Sequence, residues 1–133
     1  MAVTSGPNEA ETVIGVLYGV ETTSAGGNFP FLDLIFTNRR IVGVVSDRRR
    51  GIGGLEGLAR TYDPRELDAL VAGDKHAFSF PFAAIEKARI SGFVGQRALD
   101  LRCGARNAYL YFPKKEIPRV QEVLDRFLSD AQR

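Results

Sequence analysis

Cysteine occurs once in this chain, at Cys103, and histidine once, at His76. A lone thiol cannot close an intramolecular disulfide, which excludes a disulfide framework and fits a reducing compartment. One Cys and one His do not make a zinc site unless carboxylates join them or subunits share ligands, so no metal is expected. Charge of one sign is also lacking. The 18 Lys and Arg against 16 Asp and Glu leave a formal charge of +2, too weak a field to expect nucleic-acid binding. The longest uncharged apolar run, Val13 to Val20, is far too short to span a bilayer, and MAVTSGPNEAE lacks the basic and apolar regions of a secretion signal. These absences predict a soluble, cytoplasmic protein. A length of 133 residues, with 44% hydrophobic and 26% charged, suits one domain around one core.

The most informative stretch is FLDLIFTNRRIVGVV, from Phe31 to Val45. Two β-rich runs flank Asn38-Arg39, and Asn tolerates the positive φ of a two-residue hairpin turn. That turn sets Phe36 opposite Ile41, Leu34 opposite Gly43 and Leu32 opposite Val45 on one buried face. A glycine opposite Leu34 predicts close approach by another element. The other face pairs Ile35 with Val42 and Asp33 with Val44 and is only half polar, which leaves cover over part of it as an alternative to an open face.

Residues 1–11 are small and polar, with Gly6-Pro7, and read as a disordered leader. TVIGVLYGVE follows as a strand, with Ile14, Val16, Tyr18 and Val20 on one face and Val13, Gly15, Leu17 and Gly19 on the other. Its glycines predict a sharply bent or closely overlaid strand. After Ser46 the pattern breaks over residues 47–76. Arg48, Arg49 and Arg50 precede four glycines interleaved with Ile52, Leu55 and Leu58. A short helix then starts at the N-cap Asp63, with Pro64, Glu66 in capping-box position, Leu67, Leu70 and Val71 on one face, and Gly73 as its stop. Strands resume with HAFSFPF, Ile85 to Ser91, RALDLRC and AYLYF. A final helix begins near Glu116, because Pro118 is tolerated only in a first turn, and carries the stripe Ile117, Val120, Leu124, Phe127 and Leu128. The sum is an α+β, mainly β domain of seven antiparallel strands in a barrel or sandwich, covered by the terminal helix.

This order resembles the pleckstrin-homology-like superfold, and within it the bacterial PH and GRAM-type domains. The likeness lies in the hairpin FLDLIFTNRRIVGVV, in FSFPFAAIEKARIS, and in the closing AYLYFPKKEIPRVQEVLDRFL, and covers roughly residues 12 to 131. It implies a binding or assembly module with no cofactor, not an enzyme. Lipid-binding members carry a Lys/Arg cluster between the first two strands, whereas TTSAGGN has no basic residue, which argues against phosphoinositide recognition of the usual kind. The resembled topology gathers the loops after strands one, three and six at one rim, and with them Arg48, Arg49, Arg50, Gly26-Gly27, Arg102 and Arg106.

Two functions from different classes follow. Protein binding or self-association would use exposed strand edges, or the half-apolar face of Ile35, Val42 and Val44, with Tyr109 and Tyr111 alternating on the last strand as a further partner surface; the alternative for the two tyrosines is cover for neighbouring strands or the flank of the terminal helix. Peripheral contact with an anionic membrane would use Arg48, Arg49, Arg50 and Arg106 beside Ile52, Leu55 and Leu58, each basic residue contributing about 1 kcal/mol; the alternative for these arginines is a solvated loop. GIGGLEG is neither a dinucleotide fingerprint nor a KH loop, since Glu56 replaces the third glycine and the strand order does not fit. Cys103 shares a face with Leu99 and Leu101 and reads as a small buried hydrophobe, and no spacing assembles a catalytic group.

Overall fold

A computed structural model describes residues 10–22, 31–46, 61–93 and 96–133. Seven strands run β1 (Val13–Thr22), β2 (Leu32–Thr37), β3 (Arg40–Val45), β4 (Phe78–Pro81), β5 (Lys87–Phe93), β6 (Gln96–Cys103) and β7 (Arg106–Pro113), with helices α1 (Leu67–Ala72) and α2 (Ile117–Phe127). All neighbours are antiparallel in the order β4-β3-β2-β1-β7-β6-β5. The expected mainly β architecture, with a helix between β3 and β4 and another at the C-terminal end, is what forms. The antiparallel alternation brings the ends of β1, β3 and β6 to one end of the sheet.

The hairpin pairs as its pattern predicts: Leu32 with Val45, Leu34 with Gly43, Phe36 with Ile41. The Phe78 ring occupies the space over Gly43, where a Cβ would lie 2.8 Å from its Cδ1. The turn itself is built differently. No residue other than glycine takes a positive φ among those described. The Thr37 hydroxyl instead accepts the amides of Arg39 and Arg40, each at 3.0 Å, which tightens the turn with ordinary backbone angles. Asn38 serves another purpose. Its Oδ1 accepts from the Thr12 amide at 2.9 Å and its Nδ2 donates to the Ala10 carbonyl at 3.2 Å. Glu11 is fixed as well, by the ion pair with Arg40 described below, so Ala10 and Glu11, expected within the disordered leader, are ordered; residues 1–9 of that leader lie outside the described residues.

β1 departs from simple alternation because it carries two extra residues. Val13 to Gly15 spans one step of β2, and Leu17 to Val20 spans two. Each bulge flips the parity. Leu17 and Val20 therefore both enter the main core, while Val13, Val16 and Tyr18 pack on the opposite side. Gly19 takes φ of 60° within the second bulge, a conformation that costs other residues roughly 1–2 kcal/mol.

The main core joins Leu32, Leu34, Phe36 and Ile41 of the hairpin to Phe78, Phe80, Leu99, Leu101, Leu110 and Phe112, and α2 closes it. Pro118 lies in the first turn of α2, and Val120, Val123, Leu124 and Phe127 are buried at helical spacing. Each such side chain contributes about 1.5–3 kcal/mol. Phe127 stacks on Phe82 with centroids 4.7 Å apart. Beyond the helix, Gln132 Nε2 donates to the carbonyls of Phe82 and Ile85 at 2.7 and 2.8 Å, tying the C-terminal segment to the β4–β5 connection. No helix among the described residues is long and apolar enough to cross a membrane.

A second cluster corrects one expectation. Ile35, Val42 and Val44 are 0%, 0% and 2% exposed, so they do not form an open partner surface. They lie with Tyr62 and Leu67, flanked by Val13, Val16, Tyr18, Leu70 and Val71. The predicted capping box opens the 3₁₀ turn Pro64–Glu66 that leads into α1: the Asp63 carboxylate accepts from the Arg65 amide at 2.9 Å, and Glu66 reaches back to the Asp63 amide at 3.3 Å.

Candidate functional site

The outer face of the hairpin is pinned by two polar clusters. Asp33, 2% exposed, accepts from the Gly19 amide at 2.9 Å through Oδ1 and from the Tyr62 hydroxyl through Oδ2. A buried carboxylate needs such donors. These two join the β1 bulge to the segment that leads into α1. Arg40 makes the second cluster. Its Nε and Nη2 grip Glu11 at 2.8 and 3.0 Å, and its Nη1 donates to Asp68 at 2.6 Å and to Ser79 Oγ at 3.0 Å. Burial opposes the charge on Arg40, but Glu11 and then Asp68 outweigh it and hold the guanidinium above its ordinary pKa. Both clusters are inward-looking and structural.

The predicted site residues divide by position. Arg48, Arg49, Arg50, Ile52, Leu55 and Leu58 lie outside the described residues, as do Gly26 and Gly27. Arg106 lies at the rim where β3 ends and β4 begins, and its Nη2 donates to the carbonyls of Ala77 at 2.9 Å and Lys75 at 3.4 Å. That leaves it exposed yet engaged with the chain. Tyr109 and Tyr111 are half-buried, meet edge to face with centroids 5.4 Å apart, and Tyr109 Oη lies 2.9 Å from Ser91 Oγ. Tyr111 stands opposite Ala98, which is fully buried, so the pair shields its neighbouring strand. Burial, and then the charge of Glu86, push the Cys103 thiol above its ordinary pKa, which keeps thiolate scarce. No group of three His, Cys, Asp or Glu side chains gathers as a metal site among the described residues.

The open part of the fold is elsewhere. β7 pairs with β1 only at Glu21 and Thr22, so among the described residues no strand pairs with the edge of β1 from Val13 to Leu17 that faces away from β2. α2 stands across this gap. Between them lies a groove of about 170 Å³, lined by consecutive residues Ile14, Gly15, Val16 and Leu17, by Phe36, and on α2 by Arg119, Glu122, Val123 and Arg126. Ile14, at the first bulge, is 39% exposed, the one large hydrophobic so exposed among the described residues. Arg119 pairs with Glu116 at 3.3 Å, and the Arg126 guanidinium lies 4.9 Å from the Phe127 ring centroid. Sequence reasoning missed this site. Its available signals were the glycines of β1, which mark the bulges, and the spacing of seven between Arg119 and Arg126 beside the buried stripe.

No protein-family model, no curated protein and no solved structure matches this chain.

Proposed function

We propose that this chain is a non-enzymatic interaction module of pleckstrin-homology-like type that binds protein, either a partner or a second copy, through an exposed strand edge. The observation that supports this most directly is the edge of β1 from Val13 to Leu17, with which no strand pairs among the described residues, beside the exposed Ile14. Backbone amides and carbonyls on such an edge are a template for another strand. The half-apolar hairpin face cannot serve, because Tyr62, Leu67 and α1 occupy it.

Light scattering from micromolar to millimolar concentration, with affinity capture alongside, tests the reading. A rise in mass or a captured partner is expected, and Ile14→Lys should remove either, since a charge on an edge disfavours strand addition. A chain that stays monomeric and captures nothing would sink it.

A second reading is peripheral contact with an anionic membrane through Arg48, Arg49, Arg50 and Arg106 with Ile52, Leu55 and Leu58. One placement favours it: Arg106 sits at the end of the sheet where β3 leads toward Arg48. Co-sedimentation with anionic and neutral vesicles decides it. Binding confined to anionic vesicles, weakened by salt and abolished by replacing the three arginines, is the supporting result.

A further inference from the structure

We infer that the groove between β1 and α2 takes an extended peptide segment of a partner protein, with one apolar side chain seated in the groove and acidic residues beside it. The inference rests on the module reading above and specifies its ligand.

Size is the first argument. At about 170 Å³ the groove falls below the roughly 300 Å³ at which pockets begin to enclose whole small molecules or cofactors. It suits one side chain projecting from a longer ligand. The floor is apolar, made by Leu17, Phe36 and Val123, with Ile14 at its margin.

Backbone geometry is the second argument. The four consecutive residues Ile14 to Leu17 line the groove, so a ligand there meets main chain as well as side chains. Among the described residues, a Cβ built on Gly15 has only Arg119 Nη2 within 4 Å, at 3.8 Å, so there is room over this face of the strand toward α2. A segment in extended conformation satisfies an unpaired strand edge, while its alternate side chains point toward the floor.

Charge is the third argument. The α2 wall presents Arg119 and Arg126, one turn to either side of Glu122 and Val123. Among the described residues Arg119 is tied only to Glu116, at 3.3 Å and on the surface, and Arg126 lies over a ring face, so both guanidiniums retain donors for a carboxylate. Glu116 and Glu122 offset the net charge, so it is the guanidinium donors left open on Arg119 and Arg126 that select acidic neighbours over basic ones.

The test is selection of the full chain against a displayed library of random peptides, followed by affinity measurement on the best synthetic peptide. Enriched sequences should carry one Leu, Ile, Val or Phe flanked by Asp or Glu. Arg119→Glu with Arg126→Glu should weaken the selected peptide roughly tenfold and turn a fresh selection toward Lys- and Arg-flanked sequences. Backbone amide shifts on peptide addition should centre on Ile14 to Leu17 and the facing turns of α2. Selection without acidic bias, an unchanged preference in the charge-reversed variant, shifts centred elsewhere, or no enrichment would each overturn the inference. A mass increase abolished by Ile14→Lys would likewise overturn it, by assigning the groove to a second copy. Binding that persists but maps elsewhere leaves the module reading standing, so the two failures are distinguishable.

Discussion

Gly43→Ala is the sharpest probe of how this sheet is packed. The added Cβ would fall 2.8 Å from Cδ1 and Cζ of Phe78, inside the distance real Cβ atoms keep. Phe78 is 3% exposed and lies against Phe80 with centroids 4.5 Å apart, so the ring has little room to withdraw. Overpacking of this kind costs about 1–3 kcal/mol. Replacing glycine in a strand returns roughly 0.5–1 kcal/mol of backbone entropy. The net expectation is a loss of about 1–2 kcal/mol, which lowers Tm by about 3–10 °C for a chain of this size. Shortening the ring should relieve it: Phe78→Leu in the Gly43→Ala background should cost at least about 1 kcal/mol less than Phe78→Leu alone, since contacting residues couple. Calorimetry of the wild type, both single variants and the double variant measures the cycle. An unchanged Tm for Gly43→Ala, or strictly additive effects, would show that Phe78 does not fill the space over Gly43.

Three further outcomes test the two polar clusters and the capping box. Asp33→Ala leaves the Gly19 amide and the Tyr62 hydroxyl buried without their acceptor and should cost about 2–4 kcal/mol by denaturant unfolding, whereas Tyr62→Phe should cost about 1–2 kcal/mol; the reverse ranking would contradict the assigned bonds. Glu11→Ala should cost about 2 kcal/mol, between an exposed and a fully buried pair, and the loss should change little with salt because both partners are 13–15% exposed. The hydrogen bond from the Arg65 side chain, and then that from its amide, hold the Asp63 carboxyl at about 2 against an ordinary 3.8. A depressed pKa contributes stability that is present above the ordinary value and lost as pH falls toward the folded one. The Tm difference between wild type and Asp63→Asn should therefore be constant above about pH 4 and shrink toward pH 2; a constant difference across that range would refute the pairing.

What the chain encodes locally was readable from its letters. The hairpin register needs only alternation and a short turn, Gly43 announces its neighbour because nothing else fits, Asp63-Pro64 and Glu66 specify a helix start within four residues, and the α2 stripe follows from a period of 3.6. Tertiary structure decided everything that depended on residues far apart meeting. Asn38 proved to be a clamp for Ala10 and Thr12, with Thr37 making the turn, because a short polar side chain bonds whatever backbone arrives beside it. The bulges in β1 reassigned Val16 and Val20 to opposite faces, since one inserted residue inverts a period of two. Ile35, Val42 and Val44 looked available because pattern shows which face is apolar, never which element covers it; α1 and Tyr62 do. The groove is the extreme case. Ile14 and Arg119 lie more than a hundred residues apart, and only the divergence of β1 from β7 at Glu21 places them on facing walls. Periodicity is a property of neighbours in sequence, and a site between a strand edge and a helix is a property of how the strands of the sheet diverge.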